Sequence, residues 1–238
     1  LHKAIRRQRQ MCIRDSYYRT NGLVNLDKSN MPSYQPEAYQ KPGCPIIVDL
    51  NGDGLITVED VDMKNVIPSL YWGFGNTFTY KNWDLDVFIY SQLGVDKYND
   101  VYSWTSGRGL GNQTNNMSVY IKDVWHSELN PNGTIPGIAY EMASVSLPGG
   151  AGTDIGYENS SFVRVRNITL GYNFKPNQLG ALSKLLSGIR VYVDVQNPFT
   201  FTGYTGLDPE VNTGGNYKGG KAEYPQTRTF SLGAKLSF

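Results

Sequence analysis

Long apolar runs are missing from this chain. No stretch approaches the roughly 18 residues that a membrane-spanning helix needs, and a mean hydropathy of −0.41 speaks against a helical membrane protein. Cysteine is nearly absent: Cys12 lies in an irregular basic opening and Cys44 in a Pro-Gly loop, so they support neither a disulfide framework nor a zinc site. Histidine is as scarce, with only His2 and His126, and no Gly-x-Ser-x-Gly elbow is present, so hydrolysis has no evident nucleophile and base. Gly107-Arg-Gly109-Leu-Gly111 lacks the preceding strand, opening helix and lysine of a phosphate loop. Charge is sparse and unevenly placed. Lys3, Arg6, Arg7, Arg9 and Arg14 sit in the opening stretch, and without them the body is slightly acidic, which excludes the basic surface of a nucleic-acid binder. The opening has no apolar h-region and is not a secretory signal. Residues 1–16 resemble translated vector or adapter sequence and are set aside from fold reasoning, a natural basic arm being the alternative.

Glycine, tyrosine and period-two alternation are what the chain has in quantity. From Thr227 to Phe238, the residues Phe230, Leu232, Ala234, Leu236 and Phe238 fall on one face, opposite Ser231, Gly233, Lys235 and Ser237. Four further segments read as strands: Leu70 to Tyr80, Asp84 to Leu93, Phe162 to Phe174 and Gly188 to Phe199. In the third the two halves have opposite parity, which predicts a β-bulge near Arg166 or Asn167. Asp84, Asp86, Arg190 and Asp194 share the polar parity of their strands. Trp72, Tyr80 and Trp83 read as an interfacial aromatic cluster near one strand end.

The connections alternate in length. If Phe238 marks the periplasmic rim, Lys81 to Trp83 and Lys175 to Ser187 are periplasmic, while Gly94 to Ser161, Thr200 to Gln226 and the segment before Leu70 are extracellular. Short turns on one side and long loops on the other predict an all-β fold: an antiparallel membrane β-barrel segment, a partial and open sheet with long extracellular loops. Tyr102, Trp104, Tyr120, Trp125, Tyr204 and Tyr217 then lie outside the membrane, placed to stack on sugar rings or pack on a partner.

Residues 49–60 carry metal chemistry. Asp49, Asn51 and Asp53 occupy positions 1, 3 and 5 of a twelve-residue calcium loop, with Gly54 at the sharp turn, Leu55 offering its carbonyl and Asp60 closing the set. A hard cation wants six to eight such oxygens. Asp60 in place of the usual glutamate predicts a weak, structural calcium site, and the extended Pro45 to Val48 flank departs from a helix–loop–helix hand. An Asx-rich turn without an ion is the alternative.

From about Tyr39 to Phe238 the chain resembles the C-terminal barrel portion of a SusC/RagA-type TonB-dependent outer-membrane transporter. The carriers are VDLNGDGLITVEDVD at residues 48–62, the 67–94 segment, SSFVRVRNITLGYNF, IRVYVDVQNPFTFTGYTGLDPEVN and the terminal SLGAKLSF, which is similar to a barrel-assembly signal. The resemblance implies a barrel of about 22 strands and a plug, the import of glycans or peptides with a SusD-like lipoprotein, and coupling through TonB by a missing N-terminal part. It also implies the outer membrane of a Gram-negative bacterium. It divides the chain into a leader (1–16), a loop region with the calcium loop (17–69) and C-terminal barrel strands (70–238), a fragment that is not an enzyme. A secreted calcium-stabilised β-sandwich that binds carbohydrate is the rival reading, and a surface glycan hydrolase the third.

Overall fold

The computed structural model describes residues 14–99, 102, 117–137, 147–148, 152–211 and 224–238. In chain order the strands are β1 (Arg14–Tyr18), β2 (Thr20–Leu23), β3 (Pro45–Ile47), β4 (Val61–Asn65), β5 (Leu70–Tyr80), β6 (Trp83–Leu93), β7 (Asp96–Tyr98), β8 (Gly152–Thr153), β9 (Tyr157–Asn159), β10 (Phe162–Phe174), β11 (Gly188–Thr202) and β12 (Thr229–Ser237). The five expected strands are β5, β6, β10, β11 and β12. They form one antiparallel sheet in the order β12-β11-β10-β6-β5. Each has at least the 9 residues that a tilted transmembrane strand requires. Among the described residues no helix is long and apolar enough to cross a membrane, which says nothing about strands.

Register fixes the two faces. Phe74, Leu85, Ile168, Val193 and Leu232 share one side, and Thr77, Asp86, Thr169, Asp194 and Ser231 the other. The bulge stands where the parity predicted it: Val165 pairs with Phe199 and Asn167 with Gln196, so Arg166 on β10 and Asn197-Pro198 on β11 are extra residues. Asn197 takes φ 50 to absorb the mismatch. The tight β5–β6 hairpin turns on Lys81 at φ 57, with Tyr80 paired to Trp83.

No described element lies over the apolar face. Phe74, Phe78, Leu170, Val193, Phe230 and Leu232 are all exposed, Leu232 by 78%. A hydrophobic core cluster lies elsewhere. Tyr18, Tyr39, Cys44, Ile47 and Leu147 form a buried cluster, with Ala38, Ile56, Val61 and Ile155 packed on it. The segment expected as a loop region is therefore a small folded unit in which β1 pairs with both β4 and β8, and β2 with β3. β1 begins at Arg14, inside the segment set aside as a leader, of which residues 1–13 lie outside the described residues. β7 and β9 pair with each other and prolong the β6–β10 ladder beyond the sheet.

Trp72, Tyr80 and Trp83 do not gather at one strand end. Trp72 pairs with Ser91 while Tyr80 pairs with Trp83, so Trp72 stands near the opposite end of β5. Trp83 instead meets Tyr172 edge to face at 4.8 Å, and Tyr172 meets Phe174 at 4.7 Å. The aromatics thus sit at both ends of the sheet, as in the two girdles of a membrane barrel.

Candidate functional site

The 49–60 loop joins β3 to β4 and is built by backbone capture. Asp49 accepts the N–H groups of Gly52 (2.7 Å) and Gly54 (2.8 Å), Asn51 Oδ1 that of Asp53 (2.9 Å), and Asp53 Oδ1 that of Leu55 (2.8 Å). Gly52 and Gly54 hold φ 76 and 82, a left-handed pair that side chains resist. Asp60 is fully buried. Its Oδ1 accepts from Leu50 at 2.9 Å and Asn51 at 3.3 Å, and its Oδ2 from Thr57 at 2.8 Å. Burial alone would raise its pKa, but these N–H groups outweigh burial and hold the carboxyl below the usual range. The five residues of the expected calcium set are thus brought into one loop, with Asp60 acting as a staple across its base. Among the described residues no three carboxylates, thiols or imidazoles gather as a ready-made metal centre.

The polar face of the sheet carries three groups of paired side chains. Arg190 on β11 reaches over β10 to pair with Asp84 on β6, its Nε 3.2 Å from Oδ1. Gly171 lies beneath this bridge, where a β-carbon would stand 2.6 Å from Asp84 Oδ2 and 2.7 Å from Arg190 Nε. Asn173 donates to Asp84 at 2.6 Å, Thr169 to Asp194 at 2.6 Å, and Thr77 to Asp86. All four expected wall residues therefore share one surface, as parity required.

A second network, with no counterpart in the sequence pattern, ties β10 to the loop after β11. Arg164 on β10 is 2% exposed and grips the segment after β11: it pairs with Asp208 at 2.8 Å and Glu210 at 2.5 Å, and its Nε donates to Thr200 at 2.9 Å. Asp208 also accepts the N–H of Glu210 (2.8 Å) and of Gln226 (3.0 Å), so one carboxylate closes both ends of the loop. Lys97 Nζ donates to the carbonyls of Pro209 and Val211. The available signal was an arginine at an inward parity position before the bulge, with two acids in the next loop.

Cys44 and His126 have ordinary structural roles. Cys44 is buried and its thiol pushed up to about 11, chiefly by desolvation. His126 Nδ1 accepts the N–H groups of Glu128 and Leu129 at 3.2 and 3.1 Å, a turn cap. Trp125 fills the space over Gly43, where a β-carbon would be 2.3 Å from its ring. Tyr102 and Tyr120 meet edge to face at 5.4 Å. Cys12, His2, Trp104, Tyr217 and the 107–111 glycines lie outside the described residues.

No family profile matches the chain. It is 33% identical over 208 residues to the TonB-dependent receptor SusC of Bacteroides thetaiotaomicron, spanning 85% of this chain and 19% of that protein. It is 31% identical over 206 residues to TonB-dependent receptor P3 of Formosa agariphila, spanning 83% and 19%. The fold is similar to that in the structure of the RagAB peptide transporter, with a TM-score of 0.63 and 23% identity over 94% of this chain and 22% of that one. The chain spans 19% of the length of the curated relatives it matches.

Proposed function

The chain belongs with the SusC/RagA-type TonB-dependent receptors, and from that premise we propose that it supplies wall strands and extracellular loops to an outer-membrane importer. The cargo is a glycan or peptide, handed over by a SusD-like surface lipoprotein, and the energy comes through TonB. One observation carries this reading: five long strands present an uncovered apolar face while their other face carries the Arg190–Asp84 ion pair and hydrogen-bonded polar side chains. Hydrocarbon suits the first face and a water-filled lumen the second. A sandwich module would bury that apolar face under a second sheet. The wall residues hold one another, and their role in this reading is to shape and hydrate a path. The test is expression of the full-length receptor. It should fractionate with outer membranes, migrate heat-dependently, and be required for growth on one glycan or peptide source. Recovery as a freely soluble monomer would sink the proposal.

Calcium belongs to the same proposal as a structural ion. Asp49, Asn51, Asp53 and the Leu55 carbonyl fit, because each side-chain oxygen facing a backbone N–H keeps a second lone pair. Asp60 fits less well, since Oδ1 already accepts two N–H groups and only Oδ2 has capacity left. The ion would neutralise the acidic loop that ties β3 to β4 and would take no part in transport chemistry. Limited proteolysis of the receptor should cut between residues 49 and 60 faster in chelator than in millimolar calcium, and Asp53→Ala should abolish the difference. Equal cutting in both conditions would leave the Asx-rich turn as the whole explanation.

A further inference from the structure

Residues of β2, the 134–136 stretch, the 154–158 stretch and the start of the loop after β11, with Pro45, Tyr102 and Tyr120, line a groove of about 480 Å³. Its walls include Tyr102, Tyr120, Tyr157, Asp154, Glu158 and Thr205. The groove is concave and aromatic, and its two half-buried carboxylates are held only by neutral donors. Asp154 accepts from Thr20, from Oγ1 at 2.6 Å and from N at 3.3 Å. Glu158 accepts from Asn99 Nδ2 at 2.9 Å and from the N–H and hydroxyl of Thr205, both at 2.8 Å. The ion pairs among the described residues use Asp62, Asp84, Asp208 and Glu210 instead. Lys97, which faces Glu158 across the β7–β9 pair, turns its ammonium onto the carbonyls of Pro209 and Val211.

Carboxylates anchored by neutral groups are fixed in place, and the partial exclusion of water strengthens the field they project. Tyrosine faces attract cations by their quadrupole. Three tyrosines beside two carboxylates that have no ion-pair partner among the described residues disfavour sulfated or uronic solutes and favour a primary ammonium group. We propose, resting on the importer reading, that this groove is a recognition site for the ammonium group of the imported solute. That group is the α-amine or lysine of a peptide, or the free amine of an aminated saccharide. It would lie against the tyrosine faces and donate to Asp154, whose oxygens have the greater spare capacity.

The test uses the full-length receptor in detergent and four probes: trilysine amide, its fully acetylated form, a glucosamine trimer, and the N-acetylated trimer. Calorimetric binding should weaken about tenfold or more when either amine is acetylated, and the amine that binds identifies the source. Raising the salt should weaken the amine and spare its acetylated counterpart. Asp154→Asn should reproduce the loss for the amine alone. Glu158→Gln serves as a second variant, because Glu158 also ties Asn99 to Thr205 and its replacement loosens the loops. Equal binding of amine and acetylated probes, or no binding of either amine by wild-type receptor, would overturn the inference. Continued uptake of other solutes by that same receptor would leave the importer reading standing.

Discussion

Gly171 shows how much one missing β-carbon can do. The Arg190–Asp84 bridge crosses β10 at that position, and a methyl group there would stand 2.6 Å from a carboxylate oxygen. Gly171→Val should therefore displace the bridge and destabilise the wall by about 1–3 kcal/mol, read as a lower heat-modification temperature of the full-length receptor. Glycine substitutions with open space, such as at Gly203, should leave that temperature unchanged. Cys44 makes the opposite kind of prediction. Its buried thiol, pushed up to about 11, is protonated at neutral pH and shielded. It should resist maleimide in the folded receptor and react at once in denaturant. The alternation of the sequence placed Gly171 on the polar face, but only the register revealed what lies above it.

At the scale of elements, the bulge was legible because a change of parity within one strand leaves a mark in the order of residues. The loop clamp was not, because Arg164 and Asp208 meet only after β11 has returned alongside β10. Asp208 gives that clamp a pH dependence. Burial would raise its pKa, but the Glu210 N–H, the Arg164 guanidinium and the Gln226 N–H together hold it below the usual carboxylate range. A depressed folded pKa means that the stabilisation is present above the unfolded value of about 3.9 and is lost as pH falls through the folded value. A spin label at exposed Leu207 should be immobile at pH 6 and progressively freed below pH 4, whereas Asp208→Asn should free it already at pH 6. Asp60 is shifted in the same direction by the N–H groups at the base of the 49–60 loop.

At the scale of the whole molecule, the sheet ends on two strands, β5 and β12, that have a described neighbour on one side only. Unpaired edges are costly in lipid, so these strands call for further barrel strands of the kind the longer relatives have room for. The two faces of β12 make the membrane reading testable. Leu232→Arg, on the apolar face, should cost about 2–4 kcal/mol near the bilayer midplane and reduce the heat-modifiable receptor recovered from outer membranes. Ser231→Arg, one residue earlier and on the polar face, should be tolerated. Equal tolerance at the two positions would remove the lipid from the argument.

The sequence by itself determined the five strands, their faces, the bulge and the Asx-rich loop, because each is a local pattern set by side-chain alternation or by turn chemistry within a dozen residues. Tertiary structure alone decided which polar groups meet. The Asp84–Arg190 bridge, the buried Arg164 clamp, the core beneath the 49–60 loop and the tyrosine groove join residues far apart in the chain, and their contacts depend on register and loop return. Spacing along one dimension does not encode those distances; only the folded backbone brings the charges close enough to interact.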